Sequence, residues 1–179
     1  MPAGRRMSER EQQRQAAFRQ LADRRLDASY RLATAILGDA SQSQDAVHDA
    51  VLLAWDRWSS LRDQARFDAW FDRIVVNVCR DRLRRSTRRP TTDISTELAL
   101  GTPDPTPDVH LRLVLAQAFD GLKPDDVVVL ALRHFLDLEL EDMAILLDVP
   151  LQTVNTRLRA ARGRLRKLLD EQSSHGITP

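Results

Sequence analysis

Apolar residues recur along this chain at the spacing of a helix and hardly anywhere in the alternation of a strand. From Leu26 they return at Tyr30, Ala33 and Leu37 and stop at Gly38, a natural C-terminal breaker. After the polar stretch DASQSQ, the positions Ala46, Val47, Ala50, Val51, Ala54, Trp55 and Trp58 keep an i, i+1, i+4, i+5 rhythm, with His48, Asp49 and Asp56 off the stripe. A third segment gathers Phe67, Trp70, Phe71, Ile74, Val75, Val78 and Cys79 on one face and Arg73, Asn77, Arg80 and Arg84 on the other. Three amphipathic helices are predicted.

The rhythm breaks at residues 90–110. PTTDISTELALGTPDPTPDVH holds four of the eight prolines, four acids and neither lysine nor arginine, the composition of an extended acidic linker. Beyond it Val109, Leu113 and Ala116 begin a helix ending near Gly121, and Pro124 opens another through Val128, Leu132 and Phe135. LEDMAILL, DVPLQ and TVNTRLRAARGRLRKLL then read as a short helix, a tight break and a longer basic helix. Val154, Leu158, Ala161, Leu165 and Leu168 form the buried stripe of that last helix, and Thr153 is its candidate N-cap. This is the layout of helix-turn-helix proteins. The expected fold is all-α, with two small helical domains joined by a flexible linker. Its parts are a flexible arm over 1–20, a first domain over 21–89, the linker over 90–110, a second domain over 111–171 and a flexible tail over 172–179.

Composition narrows the function classes. Of 179 residues, 42% are hydrophobic and 30% charged, which fits packed domains rather than a disordered chain. A single cysteine, Cys79, excludes an intrachain disulfide and a thiol-rich zinc site and suits a reducing cytoplasm. No run approaches the length of a membrane span, and MPAGRRMSEREQQRQ lacks the apolar segment of a signal peptide, so a cytoplasmic chain without membrane insertion is expected. His110, His134 and His175 show no metal-ligand spacing, and there is no nucleophile–base pairing, glycine-rich phosphate loop or HExxH. Neither an enzyme nor a cofactor or metal is expected. Trp55, Trp58, Trp70 and Phe71 are read as core, and Cys79 as a small buried hydrophobe.

Net charge is only +1, but it is sharply segregated. Residues 120–148 contain eight acids against Lys123 and Arg133, whereas 157–167 contain six bases and no acid. A solvated helix face usually interleaves signs, since like charges at i, i+4 cost a few tenths of a kcal/mol, roughly. Two readings stay open for the basic helix: a solvated face, or a surface laid along phosphates. Gln152, Asn155, Thr156, Arg159 and Arg162 lie off the buried stripe and can reach base edges or phosphates, with Arg157 and Arg164 flanking them as backbone-positioning charges. RDRLRRSTRR at 80–89, six arginines against Asp81, is either a solvated helix end or part of the same nucleic-acid track.

These segments carry a resemblance. LKPDDVVVLALRHFLDLELEDMAILLDVPLQTVNTRLRAARGRLRKLL resembles region 4 of bacterial sigma factors of the extracytoplasmic-function group. SQDAVHDAVLLAW followed by RFDAWFDRIVVNVCRDRLRR is similar to region 2 of the same group, and together they cover most of residues 25–170. The resemblance implies an initiation subunit and not an enzyme. It implies that Asp45, His48 and Asp49 face the clamp helices of core RNA polymerase. Arg73, Asn77, Arg80 and Arg84, with the loop Leu61 to Ala65, would handle the melted minus-10 strand. Thr153, Asn155, Thr156, Arg157, Arg159 and Arg162 would serve the minus-35 duplex of promoter DNA while region 4 leans on the polymerase flap. An anti-sigma factor masking both DNA faces is a further implied partner. The chain departs from the family pattern at Gln44, His48, Gln152, Asn155, Thr156 and Ala160. The rival reading is an autonomous helix-turn-helix regulator in which residues 20–89 sense or dimerise, and a third is an adaptor that binds polymerase without reading DNA.

Overall fold

In the computed structural model, residues 9–88, 118, 119 and 121–175 are described, and their regular structure is entirely helical. Helix α1 spans Glu9–Leu37, α2 Ala40–Arg57 and α3 Phe67–Arg88. Two 3-10 turns, Trp58–Ser60 and Gln64–Arg66, join α2 to α3. Helix α4 spans Pro124–His134, α5 Leu140–Leu147 and α6 Leu151–His175. The expected linker over 90–110 and most of the helix expected from Val109 lie outside the described residues. Of that helix Ala118 and Phe119 are seen as helical, and the Leu122 N–H donates to the Phe119 carbonyl as the chain turns at Gly121.

Helices α1, α2 and α3 pack on one another as a three-helix unit. Gly38 takes a φ of 68°, ending α1, and the Asp39 carboxylate accepts from the Gln42 N–H at 2.6 Å to start α2. Phe67 lies at the centre of the core, fully buried, in ring contact with Phe18, Trp58, Trp70 and Phe71 at centroid distances of 5.4–6.1 Å. The aromatic residues assigned to packing do pack: Phe71 and Trp58 are buried, and Trp55 and Trp70 are half-buried against the same cluster. Two ion pairs fasten α1 to α3, Arg24 to Asp68 at 2.9 Å and the half-buried Arg25 to Asp72.

Three boundaries differ from the sequence reading. The arm over 1–20, expected as disordered or as a frayed helix extension, is helical from Glu9, because Phe18 and Ala22 are buried and Phe18 packs on Trp55 and Trp58, holding the extra turns down. Within α1 the buried line runs through Phe18, Ala22, Ser29, Leu32, Ala33 and Ile36, leaving Leu26 37% exposed. Ser29 and Arg25 on the inward side disguised that line. At the other end α6 continues through His175, past the expected tail boundary at 172, since EQSSH contains no breaker before Gly176. Helix α4 stops at His134 and leaves Phe135 40% exposed, because the chain turns through Asp137 in the left-handed region at φ 51°.

The second half has α4 and α5 packed on α6. It does not stand apart from the first: α4 also packs against α1 and α3, and α5 against α3, within one continuous hydrophobic cluster. Every residue of α4 from Asp126 to Leu132 is buried. A helix covered on all sides lies between two partners rather than on one.

Candidate nucleic-acid interface

The helix-turn-helix is built from α5, the Asp148–Pro150 turn and α6. Asp148 ends α5 in the left-handed conformation, φ 56°, and the Val149 N–H returns to the Ala144 carbonyl at 3.1 Å. Pro150 presets the entry to α6, and the Thr153 N–H donates to the Pro150 carbonyl at 2.8 Å. Thr153 therefore lies inside the first turn and is not the N-cap expected from the sequence. Val154, Leu158 and Ala161 are buried and Leu165 and Leu168 half-buried, matching the predicted stripe.

Opposite that stripe, Gln152, Asn155, Thr156, Arg159 and Arg162 are all exposed on one face. Arg166 extends this row. It was legible from its spacing of four and seven residues to Arg162 and Arg159, yet the sequence reading did not single it out. The Thr156 hydroxyl donates to the Gln152 carbonyl at 2.9 Å, which orients it along the helix. Thr153 and Arg157 are half-buried at the edge of the row. Arg164 departs from the expected backbone-positioning role. Its Nε and Nη2 donate to the two oxygens of Asp126, each at 2.6 Å, and Asp126 is only 4% exposed. That carboxylate raises the Arg164 pKa and ties the side chain to α4.

A groove between α4 and α6 runs beside the row, lined by Leu130, His134, Arg162, Leu165, Arg166 and Leu169 among others. Burial, then the guanidiniums of Arg162 and Arg133, hold the His134 imidazole below its ordinary range.

The second basic element lies on α3. Arg73, Asn77, Arg80 and Arg84 share one face, where the Arg80 Nη2 donates to the Asn77 Oδ1 at 2.7 Å. The face is occupied. The Arg73 Nη2 donates to the Ile145 carbonyl at 2.8 Å and its Nη1 stands 3.3 Å from the Asp148 carboxylate, while Arg80 and Arg84 reach Asp125 at 3.8 and 3.5 Å. Val76, which helical spacing puts among these arginines, is 1% exposed. On α2, Asp45 and His48 are exposed, whereas Asp49 is half-buried and accepts from the Arg82 Nη2 at 2.5 Å. The sequence reading missed Leu52, 53% exposed between Asp45, Asp49 and Asp56 on that face, and its neighbour Leu53, 36% exposed. The signal was present as an apolar pair off the buried stripe. The loop Leu61 to Ala65 is held by the Asp63 carboxylate, which accepts from the Ala65 N–H at 3.0 Å. Cys79 is buried, and its thiol is pushed up to about 12 by that burial. Among the described residues no group of three or more His, Cys, Asp or Glu is poised to hold a metal, and no helix is long and apolar enough to cross a membrane.

Comparison with known proteins places these elements. Residues 21–89 match the family described as Sigma-70 region 2, and residues 112–165 the family described as Sigma-70, region 4. The ECF RNA polymerase sigma factor SigM of Mycobacterium tuberculosis is 33% identical, over 86% of this chain and 77% of that protein. The ECF RNA polymerase sigma factor SigW of Bacillus subtilis is 27% identical, over 87% of this chain and 90% of its own. Among solved structures, CnrH in complex with the cytosolic domain of CnrY aligns with a TM-score of 0.58 and 28% identity, over 88% of this chain and 90% of that one. The sigma factor RpoE, in complex with the anti-sigma factor NepR from Bartonella quintana, gives the same TM-score at 22% identity, over 86% and 96% of the two chains, a likeness of fold. With both regions present in order, the chain belongs to the extracytoplasmic-function sigma factors of RNA polymerase, within the sigma-70 family.

Proposed function

We propose that this sigma factor works as a binding subunit rather than a catalyst, in the cytoplasm, holding core RNA polymerase with α2 and promoter DNA with α3 and α6. The observation that carries the DNA assignment is the exposed row Asn155, Arg159, Arg162 and Arg166 on the second helix of a helix-turn-helix, with no acid among them. Arginine reads guanine edges and phosphates with the same planar fork, so one such row supplies both register and discrimination in a minus-35 major groove. Thr153, Thr156 and Arg157 complete this site at its margins. On α3, Arg73, Asn77, Arg80 and Arg84 serve the melted minus-10 strand: an amide hydrogen-bonds an unstacked base, and arginines follow the backbone. The face of α2 bearing Asp45, His48 and Asp49 meets the polymerase clamp, with Leu52 as the apolar centre of an acidic patch. Region 4 meets the polymerase flap, and an anti-sigma factor covers the DNA faces when the factor is restrained, a reading supported by the solved complex of the sigma factor RpoE with the anti-sigma factor NepR.

Run-off transcription tests this reading. Core polymerase with the chain initiates from defined start sites, while the chain without polymerase gives no specific duplex shift. Tight, specific operator binding by the chain alone as a dimer would support the autonomous regulator instead.

A further inference from the structure

Arg82 stands in the middle of the basic run of α3 but points away from its neighbours. Arg73, Asn77, Arg80 and Arg84 share the outer face, whereas Arg82 follows Val78 and Cys79 by four and three residues and so lies on the edge of the buried stripe, its side chain 23% exposed. From there its Nη2 donates to the Asp49 Oδ2 on α2 at 2.5 Å. We infer that Arg82 is a positioning residue for core polymerase rather than part of the DNA track, holding the Asp49 carboxylate in the orientation the clamp receives. The inference rests on the assignment of the Asp45, His48 and Asp49 face of α2 to polymerase.

The acids of that face call for a counter-charge. Asp45, Asp49 and Asp56 stand on one side of α2 with the exposed Leu52 among them, and like charges four residues apart on a helix repel. Among the described residues Asp49 is the one of the three that makes an ion pair. Arg82 therefore offsets the repulsion at the middle of the patch, and it does so from the adjoining helix without projecting into the surface a partner would cover.

The pair also leaves Asp49 able to bind. Its side chain keeps 50% of its surface, and the bond takes Oδ2, so Oδ1 remains to accept from a cation on the partner; a carboxylate has lone pairs enough for both. A carboxylate already fixed by a charge-assisted hydrogen bond loses less freedom when that partner arrives. The Arg82 Nε is buried with no hydrogen-bond partner among the described residues, a cost that an outward-turned arginine would avoid and that the bond to Asp49 offsets here. Because α3 also carries the strand-facing residues, the same bond ties the polymerase face to the DNA-bearing helix across the α2–α3 contact.

The test uses the full chain against immobilised core RNA polymerase, with the dissociation constant read by interferometry and run-off transcription measured beside it. Asp49→Ala is expected to raise the dissociation constant about tenfold and Arg82→Gln about fivefold. The double variant should bind no more weakly than Asp49→Ala, since the arginine acts through that carboxylate. Arg82→Lys keeps the charge and should recover most of the lost affinity. At saturating core, the run-off yield of Arg82→Gln should return to that of the parent. Circular dichroism melts check that each variant is folded at the temperature of measurement. Additive losses in the double variant would overturn the inference and leave Arg82 a structural residue. A run-off plateau that stays low at saturating core would overturn it in favour of the DNA track. Parent-like affinity of Arg82→Gln beside a weakened Asp49→Ala overturns it as well and leaves the clamp assignment standing. If Asp49→Ala binds core like the parent, that assignment falls and the inference with it.

Discussion

Arg164 grips Asp126 through two parallel hydrogen bonds of 2.6 Å, and in doing so leaves the basic row of α6 to become a strut between α6 and α4. Asp126 is 5% exposed at its side chain, so the pair is a buried carboxylate with its guanidinium fork rather than a surface bridge. Arg164→Ala strands that carboxylate without a partner. The expected cost is roughly 2 kcal/mol of stability, read as a lower urea midpoint at unchanged slope. Replacing both partners by apolar residues, Asp126→Leu with Arg164→Met, recovers most of it.

Arg159 and Arg162 do not share that role. Arg159→Glu with Arg162→Glu should abolish run-off from promoters that depend on a minus-35 element and leave thermal unfolding nearly unchanged, since both side chains are exposed. Binding of the polymerase complex to a promoter fragment, followed over a salt series, should lose roughly 0.9 from its logarithmic slope for each phosphate contact removed.

Phe18 tests where the first domain begins. It is 6% exposed and makes edge contacts with Trp55, Trp58 and Phe67 at 5.2–6.1 Å. Phe18→Ala should destabilise the protein by about 3 kcal/mol, the usual cost of an aromatic deletion in a packed core. A truncation starting at residue 21 should behave at least as badly, whereas Glu11→Ala should be nearly neutral.

His134 gives region 4 a pH dependence whose sign is fixed. A base with a folded-state pKa below its unfolded value of 6.5 takes up protons on unfolding. Its contribution is fully present above pH 6.5 and is lost as pH falls through the lowered native value. Stability should therefore decline from pH 7 toward acid in the parent more steeply than in His134→Asn, in paired thermal melts at each pH. The two proteins differ only at position 134, so the difference between the two series belongs to the imidazole.

Much of this architecture was legible because the period-3.6 signal on α2, α3 and α6 is undiluted: every stripe residue singled out there is buried or half-buried. α1 was harder, since its inward line includes Ser29 and is flanked by Arg25, residues that read as surface until Asp72 supplies a partner. The roles of single arginines were not legible. Arg164 and Arg162 are two positions apart in one basic run, and only the fold shows that one meets a buried carboxylate on α4 while the other faces outward. Likewise Val76 lies off the stripe read on α3, and its burial to 1% exposure is not encoded in that local pattern.

The double allegiance of α4 has a quantitative corollary. A fragment of region 4 cut free of region 2 bares the side of α4 that α1 and α3 cover. Returning even one fully buried aliphatic side chain to water costs about 1.5–3 kcal/mol, a large share of the net stability of a small domain. The buried stretch from Asp126 to Leu132 thus joins two sigma regions into one thermodynamic unit.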